Sequence, residues 1–341
     1  MSSARELQAP RRTLADVAAV AGTSVPTVSK VLRGGTDVSE ATRRAVMAAV
    51  EATGYAPRGG RRVRETEPAL IDFVLSDVHG SWVHQALGGV EEAATAADHD
   101  VVITIARRGG AWVQRLLRRR SAGAVIALLD PTTAELDVLH AAGRRFVLID
   151  PMSRPPAYAA SVGVTNWEGG RSAAEHLLSL GHRRFAAIGG GRTHLYSQAR
   201  LDGFRSGLQA HPDAELVAVG WADWRREDAA EVAERILGAP DRPTAVFSCS
   251  DLMAIGVYDA ARGRGLRVPQ ELSIVGFDDL PEASWATPPL TTIRQPIAEL
   301  GAAAVRMLLR LAEQGGGRAP REELATVLVP RGSTASRPPM H

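Results

Sequence analysis

Hydrogen-bonding, basic and small apolar side chains lie close together between residues 25 and 33, in a stretch without a cluster of acids, histidines or cysteines. Serine, threonine, lysine and arginine can bind phosphates and base edges, and valine and proline can contact the methyl group of thymine. The candidate DNA contacts, at exposed positions of a predicted helix, are Val25, Pro26, Thr27, Ser29, Lys30 and Arg33. These residue types favour binding to DNA over catalysis.

A second group of candidates has the chemistry to bind a small polar ligand. Asp251 follows a predicted strand and begins a predicted helix. Its carboxylate should therefore point into a cleft and accept hydrogen bonds from hydroxyl groups. Arg200, near the start of another predicted helix, can donate a bidentate pair of hydrogen bonds. Indole faces stack on sugar rings, and the candidate tryptophans are Trp82, Trp167, Trp224 and Trp285. Surface ion pairs for the charged residues, and core packing for any one tryptophan, are the alternatives.

The DNA-contacting candidates depend on three helices that the sequence predicts within residues 13–57. Thr13 begins a capping-box pattern, Gly22 ends the first helix, and Ser24 can cap the second. About four residues join these two helices, a spacing typical of helix-turn-helix units, and a third helix begins after Ser39. The segment therefore predicts a helix-turn-helix unit, with a helical hairpin for protein contact as the alternative.

Apolar runs alternate with amphipathic stretches through residues 69–330, the pattern of parallel βαβ units in an α/β fold. Strands are predicted over 70–76, 101–106, 123–129, 145–150, 184–190, 215–220, 245–250 and 272–277. Helices are predicted over 82–97, 167–180, 198–210, 226–237 and 251–262. So many strands favour two doubly wound lobes of parallel sheet, with a ligand cleft outside the carboxyl ends of the strands.

Charge separates the two parts of the chain. Residues 1–64 carry a net charge of +6 and the remainder a net charge of −4, so only the first part is expected to meet a polyanion. The single cysteine, Cys249, allows no internal disulfide, which fits a reducing compartment. No secretory signal or membrane-spanning apolar run is recognised, so we expect a cytoplasmic protein without membrane contact.

Patterns typical of enzymes are weak. The glycines at 189–191 are too few for a phosphate-binding fingerprint, and the nine histidines lack metal-ligand spacing. Asp278 and Asp279 are adjacent in sequence, and neighbours of this kind rarely converge on one substrate bond. We therefore expect no enzyme, cofactor or metal, and a sugar-processing enzyme is the alternative from another class.

The segments TLADVAAVAGTSVPTVSKVLRG (13–34) and VSEATRRAVMAAVEATGYAP (38–57) resemble the DNA-binding headpiece of the lac repressor family of bacterial transcription regulators. The resemblance implies that Thr13 and Ser24 bind backbone phosphates. It also implies that Val25, Pro26 and Lys30 occupy base-reading positions. Family members bind a pseudo-palindromic operator in double-stranded DNA as dimers, and we expect the same here.

The body resembles the effector-binding core of the same family, which is built like a periplasmic sugar-binding protein. The resembling motifs are SVGVTNWEGG (161–170), GHRRFAAIGG (181–190), SQARLDGF (197–204), FSCSDLMAIG (247–256), SIVGFDDL (273–280) and TPPLTTIRQP (287–296). Arg200 and Asp251 match effector residues of the family. Asn166 and Trp167 are further candidates, although Thr165 replaces an aspartate that the family usually has there.

The tryptophans favour a mono- or oligosaccharide effector because an indole can stack on the apolar face of a sugar ring. A purine is the alternative effector, since stacking serves bases equally well. A free sugar-binding protein is a third interpretation, but it leaves the headpiece unexplained.

Residues 58–68 depart from the usual linker of the family. The candidate DNA contacts Arg58, Arg61, Arg62 and Arg64 surround a pair of glycines, and Arg64 occupies the position of an inserting leucine. We expect a hinge that is disordered without DNA and binds mainly by charge. Val63 is an alternative apolar wedge, displaced by about 100° on a helix.

Assembly and the chain ends can also be predicted. We expect a homodimer, with the apolar stretch 298–313 as a candidate interface helix. Residues 1–12 and the short, proline-rich tail 331–341 are expected to be disordered.

Overall fold

The computed structural model describes residues 13–32, 38–53, 55, 70–107, 109–313 and 319–337. The chain divides into two units, residues 1–66 and 67–341, which we treat separately as the headpiece and the core. Several expectations lie outside the described residues: the contacts of Arg33, Arg58, Arg61, Arg62 and Arg64, the state of the hinge and that of residues 1–12.

The headpiece forms the three helices that its capping residues predict. They are α1 (Leu14–Val20), α2 (Val25–Leu32) and α3 (Glu40–Thr53). The backbone N–H of Thr13 donates to Asp16 at 2.6 Å, and the Asp16 N–H donates back to the Thr13 hydroxyl at 3.4 Å, which completes a capping box. Fully buried valines at positions 17, 28 and 46 hold the three helices together.

The core contains the remaining helices and strands. Its strands are β1 (Leu70–Leu75), β2 (Asp100–Ile105), β3 (Gly123–Ala127), β4 (Phe146–Ile149), β5 (Ala160–Val164), β6 (Arg184–Gly189), β7 (Glu215–Trp221), β8 (Ala245–Ser248), β9 (Ser273–Asp278), β10 (Thr291–Arg294), β11 (Arg321–Leu324) and β12 (Val327–Val329). Its helices are α4 (Ser81–Ala96), α5 (Ala111–Arg118), α6 (Thr133–Ala141), α7 (Asn166–Ser179), α8 (Leu195–Gln209), α9 (Arg226–Leu237), α10 (Asp251–Gly263), α11 (Pro281–Trp285) and α12 (Ile297–Glu313).

Within the described residues the strands form two six-stranded sheets, one in each lobe. The first lobe has the order β11-β5-β4-β3-β1-β2, and the second has β12-β10-β9-β8-β6-β7. All pairs are parallel except β10 with β12. Central strands such as β3 and β9 are buried throughout because helices cover both sheet faces, which explains why β3 contains no polar side chain.

The described chain passes between the lobes three times, after β5, after β10, and between β11 and β12. Two of these crossings are tied together. The backbone N–H of Thr165 donates to the Leu324 carbonyl at 3.0 Å, and the Thr326 N–H donates to the Thr165 hydroxyl at 3.0 Å. These crossings between the lobes bring the carboxyl ends of both sheets to the cleft between the lobes.

The expected disorder of the tail is wrong for residues 331–337. Ser333 is fully buried, accepts a hydrogen bond from the Thr291 N–H at 2.7 Å and donates to the Ile274 carbonyl at 2.6 Å. Arg331 forms an ion pair with Asp279 at 2.6 Å. The segment is ordered because the carbonyl and hydroxyl groups of Ser333 bond the backbone of β9 and β10, which its proline-rich composition did not reveal.

The proposed interface helix is also corrected. The apolar face of α12 packs on α4 and the first sheet, where Leu300, Ala304 and Leu308 are all buried. The two helices approach closely at glycines, since a Cβ on Gly89 would lie 1.8 Å from the carbonyl oxygen of Ala298. The apolar face of α12 therefore belongs to the core of the first lobe and is unavailable to a second subunit.

None of the helices in the described part of the chain has the length and apolar character needed to cross a membrane.

Candidate functional site

The exposed face of α2 carries most of the predicted DNA contacts. Burial of Val28 and Val31 orients this helix, leaving Val25, Pro26 and Lys30 exposed, whereas Thr27 and Ser29 are half-buried. These exposed side chains start at the amino end of the helix, where backbone N–H groups attract phosphate oxygens.

Hydroxyl groups at the starts of α1 and α2 are already oriented by local hydrogen bonds. The exposed Ser24 hydroxyl lies 2.8 Å from that of Thr27 and accepts from the Thr27 N–H at 3.3 Å. Thr13, which is also exposed, donates its hydroxyl proton to Asp16 at 2.9 Å. For Thr13 to donate to a phosphate, it has to release this carboxylate.

The core contains a cavity of about 420 Å³ between its lobes, which we call the cleft cavity. This volume is within the usual range for a small-molecule site. The first lobe lines it with Trp82 and Asp150, and the second with Arg200, Trp224 and Asp278. Trp82 and Arg200 lie near the starts of α4 and α8. The other three residues lie just after or near the carboxyl ends of strands, where α/β folds bind ligands.

Arg200 is buried and holds several groups of the cleft in place. Its Nε donates to the Asn166 side-chain carbonyl at 2.7 Å, and its Nη1 donates to the Cys249 carbonyl at 2.6 Å and to Asp278 at 3.3 Å. The guanidinium also lies 3.8 Å from the ring centre of Phe277. Among the described residues Nη2 has no hydrogen-bond partner, so its protons remain available to a ligand.

Two aspartates beside Arg200 have altered acidities. Burial raises the pKa of Asp150 to about 6 and that of Asp278 to about 6, although the charge of Arg200 lowers both. Asp150 accepts hydrogen bonds from the Val164 N–H at 3.3 Å and from the Asn166 amide at 3.2 Å. These groups can accept hydrogen bonds from a ligand, and near pH 6 they can also exchange protons.

Aromatic rings form one wall of the cleft cavity. The indole of Trp224 lies 5.1 Å from the ring of Tyr196 and almost parallel to the ring of His194, with ring centres 6.1 Å apart. The indole N–H donates to His194 at 3.0 Å, which fixes the plane of the ring. Together with Trp82 on the opposite lobe, this wall can stack on an apolar ring face.

Two family models match the chain. The model of bacterial regulatory proteins of the lacI family matches residues 13–58, and that of a periplasmic binding protein-like domain matches residues 174–334. The HTH-type transcriptional regulator MalR of Streptomyces coelicolor is 34% identical over 342 residues, covering 95% of this chain and 97% of MalR. The chain belongs to the lacI family. The family predicted from the sequence is therefore confirmed.

The chain is also similar to a repressor and to two solved complexes. The HTH-type transcriptional repressor PurR of Pasteurella multocida is 29% identical, with 95% of this chain and 99% of PurR covered. A complex of the transcriptional regulator CelR with cellobiose has a TM-score of 0.72 and 30% identity, covering 95% of this chain and 100% of CelR. The Lac repressor dimer bound to operator and the anti-inducer ONPF has a TM-score of 0.74 and 29% identity, covering 96% and 100%.

These comparisons make the chain a DNA-binding transcriptional regulator, and its relatives are regulators rather than enzymes. The predicted fold, a helix-turn-helix headpiece followed by two lobes of parallel sheet, is confirmed as that of the lacI family.

The predicted orientation of Asp251 is wrong for this lacI-family core. Its buried carboxylate accepts from the Thr292 hydroxyl at 2.5 Å and from the Leu280 N–H at 2.8 Å, within the second lobe. Ser250 caps α10, and Ser250 and Leu252, rather than Asp251, border the cleft cavity. Because both of its oxygens are bonded in this way, the carboxyl group organises the lobe instead of facing the ligand, and burial and the nearby Asp278 charge raise its pKa.

Three of the other predicted effector residues also lie outside the cleft cavity. Asn166 and Trp167 border a neighbouring side cavity of about 260 Å³, and Asn166 reaches the cleft indirectly through Arg200. Trp285 is 74% exposed on α11 and does not line the cleft cavity. Trp82, Trp224 and Arg200 do line it, as expected.

The sequence interpretation missed several residues that border the cleft cavity of the family core: Asp150, Tyr196, Asp278, Glu282 and Gln295. Asp150 and Asp278 follow or end buried strands, and the carboxyl ends of parallel strands face the ligand in α/β folds. The strand pattern thus contained a signal for these two aspartates. Tyr196, Glu282 and Gln295 lie on helices or crossings, where sequence spacing carries no such signal.

Proposed function

We propose that this regulator binds a pseudo-palindromic operator as a homodimer and represses genes for carbohydrate use until a small sugar occupies the cleft cavity. The observation that carries the proposal is the cavity, in which aromatic rings from both lobes flank a set of fixed polar groups. Such a combination suits a ring with one apolar face and hydroxyl groups around its edge.

Charged and polar groups support a sugar as the effector. Arg200 offers donors, while Asp150, Asp278 and Gln295 offer acceptors close to it. Charge-assisted hydrogen bonds to hydroxyl groups are short and strong, and they discriminate between hydroxyl positions. The cellobiose in the CelR complex agrees with a carbohydrate effector.

Exposure of the α2 face supports operator binding through the headpiece. Val25, Pro26 and Lys30 can contact base edges in a major groove, and Ser24 can contact a phosphate. One headpiece makes few contacts, so two headpieces on two half-sites are needed for tight binding. The Lac repressor structure named above is a dimer on its operator.

A dimer surface is supported by exposed apolar residues of the second lobe. Trp285 on α11 is 74% exposed, and Leu252 on the adjacent α10, which also borders the cleft cavity, is 44% exposed. Large exposed side chains on neighbouring elements are typical of a surface that another protein covers. A second copy of this chain is the occupant that the family assembly favours.

A purine or nucleoside is the second candidate effector. The neighbouring rings of Trp224 and Tyr196 suit a base as well as a sugar, and PurR is among the relatives. This alternative keeps the regulator and its operator, and it changes only the ligand.

An electrophoretic mobility shift assay on the promoter region of the protein's own gene tests the proposal. We expect a specific shift at nanomolar protein that a neutral sugar from a panel reverses. Reversal by nucleosides alone would select the second candidate. If the protein shifts this promoter no better than random DNA, the promoter does not contain the proposed operator.

A further inference from the structure

Buried acceptor atoms without donors are concentrated at the cleft cavity. Among the described residues, three buried side-chain oxygens lack a hydrogen-bond partner: Asp72 Oδ2, Glu282 Oε2 and Gln295 Oε1. Two of these three belong to residues that line the cleft cavity. An unpaired buried acceptor is costly, so one that belongs to a residue lining a ligand cavity is a candidate partner for a donor of the ligand.

Glu282 is held between the lobes by one of its two oxygens. Its Oε1 accepts from the hydroxyl of Ser81, at the start of α4 in the first lobe, at 2.5 Å. Glu282 itself lies on α11, whose Ala283 packs into the core of the second lobe. The carboxylate is therefore fixed across the cleft, and Oε2 is left to accept another donor.

Gln295 is fixed in the same way. Only 4% of its surface is exposed, and its amide nitrogen donates to Asp278 at 2.5 Å. This hydrogen bond determines which end of the amide faces Asp278, so the carbonyl oxygen is the end without a partner.

The charged groups that line the cavity also favour a ligand that donates hydrogen bonds. Carboxyl groups of Asp77, Asp150, Asp278 and Glu282 line it, whereas Arg200 is the only arginine or lysine among the described lining residues. Arg200 is already paired with Asp278 through Nη1, which offsets its charge, so it contributes one remaining donor nitrogen, Nη2, beside four carboxyl groups. An anionic ligand brings acceptors instead of donors and is repelled by the remaining carboxylates.

We propose that Glu282 and Gln295 are specificity-determining residues that accept hydrogen bonds from the effector. The effector is consequently an uncharged or cationic molecule rich in O–H or N–H donors, and phosphorylated or carboxylated sugars are excluded. This inference rests on the proposed ligand control, but it holds for a nucleoside as well as for a sugar.

Matched pairs of compounds test the exclusion of anions in the full-length protein. Binding is measured by thermal shift and calorimetry for sugars and nucleosides, each beside its own phosphate ester: glucose, galactose, ribose and adenosine. Cellobiose and maltose are compared with glucuronate as a carboxylated sugar. In every pair that binds, we expect the neutral member to bind at least about tenfold more tightly, as the loss of a charged hydrogen bond implies.

The outcomes separate this inference from the proposed function. Binding of a phosphate ester as tightly as its neutral partner overturns the inference and leaves sugar control standing. Binding of adenosine over adenosine monophosphate, without any sugar, supports the inference and rejects the sugar. A panel in which no compound binds overturns both.

Variants of Glu282 test the residue itself. Glu282→Ala should weaken binding of the neutral ligand by at least about tenfold. Glu282→Gln should reduce the difference in affinity between a neutral ligand and its phosphate ester. Glu168→Gln is the matched control because Glu168 is an exposed acid that borders only the side cavity. Operator binding confirms that each variant is folded. Unchanged ligand affinity in a folded Glu282→Ala protein would exclude Glu282 as a specificity determinant.

Discussion

Arg200 connects the polar groups at the end of the second sheet with the crossing between the lobes that follows β5. One nitrogen bonds Asn166 at the start of α7, and another bonds the Cys249 carbonyl and Asp278 at the ends of β8 and β9. The planar guanidinium can make all these bonds at once because its donors are fixed in a fork. A ligand that bonds the remaining nitrogen thus contacts a group that is already positioned.

Replacement of Arg200 by lysine should separate charge from geometry. Arg200→Lys keeps the positive charge but cannot bond its three partners and a ligand together, so effector affinity should fall at least about tenfold. Calorimetry with the identified effector measures this decrease, and operator binding without effector should be unchanged. Arg171→Lys is the control, since Arg171 is exposed and pairs with Glu175 on the surface of α7. Equal effector affinity in both variants would contradict the role of Arg200.

The raised pKa of Asp150 predicts a pH dependence of stability. Its pKa is about 6 in the folded protein and about 3.8 when unfolded, so the folded state binds the proton more tightly. Its contribution to the free energy of unfolding therefore falls as pH rises from about 4 to about 6. Asp150→Asn removes the titration and should gain stability relative to the wild type over this interval, then hold a constant difference above it.

Urea unfolding of wild type and Asp150→Asn at intervals between pH 4 and 8 measures this difference. Asp77→Asn is the control because Asp77 is exposed at the rim of the same cavity. A stability difference between Asp150→Asn and wild type that does not change with pH would show that the carboxyl group titrates normally.

Among the elements of the fold, the contact between α4 and α12 depends on two small residues. A Cβ on Gly89 would lie 1.8 Å from the Ala298 carbonyl, and one on Gly301 would lie 2.4 Å from the Ala86 carbonyl. Both contacts involve backbone atoms, which cannot rotate away as a side chain does. The packing of the first lobe is therefore sensitive to a single methyl group.

Adjacent glycines in α4 provide a controlled test. Gly89→Ala should lower the free energy of unfolding by at least about 1–3 kcal/mol because the helices are forced apart. Gly88→Ala adds the same methyl group where no atom lies within 4 Å, and should raise stability by about 0.5–1 kcal/mol through helix propensity. Urea unfolding of both variants measures the contrast. Destabilisation by both changes would point to a general intolerance of α4 instead of the close approach.

The linker between headpiece and core predicts a further property, from sequence alone. Changing Arg58, Arg61, Arg62 and Arg64 together to alanine should flatten the salt dependence of operator binding. The log–log slope should decrease by up to about 0.9 for each phosphate that an arginine no longer neutralises. Fluorescence anisotropy on operator DNA across a series of salt concentrations measures the slope. A slope that stays at the wild-type value would show that these arginines do not bind phosphates.

For the molecule as a whole, assembly should depend on the exposed apolar surface of the second lobe. Trp285→Asp places a charge at the centre of the proposed dimer surface, so we expect the proposed dimer to dissociate at micromolar concentration. Sedimentation velocity measures the assembly state. Trp167→Asp is the matched control, on α7 beside the side cavity. Dimers of unchanged stability in Trp285→Asp would place the interface elsewhere.

The sequence predicted the strands with continuous apolar runs better than those interrupted by polar residues or glycine. Central strands such as β3 are continuously apolar and were recognised, whereas β5 contains Ser161 and Gly163, and the edge strand β11 reads Arg-Glu-Glu-Leu. At the cleft, the junction of β8 and α10 was predicted correctly. The residue that borders the cavity there is Ser250, however, and not the next residue, Asp251. Capping and tertiary hydrogen bonds decide the orientation of these side chains, and neither follows from periodicity.

The order of the strands along the chain also bears on synthesis at the ribosome. The headpiece is complete in the first 66 residues, so its helices can form while the core is still being translated. The first sheet needs β11 (Arg321–Leu324), and the second needs β12 (Val327–Val329) and the buried Ser333. Neither lobe can close its sheet until these late residues emerge. A nascent chain therefore carries a DNA-reading unit well before it carries a finished ligand cleft.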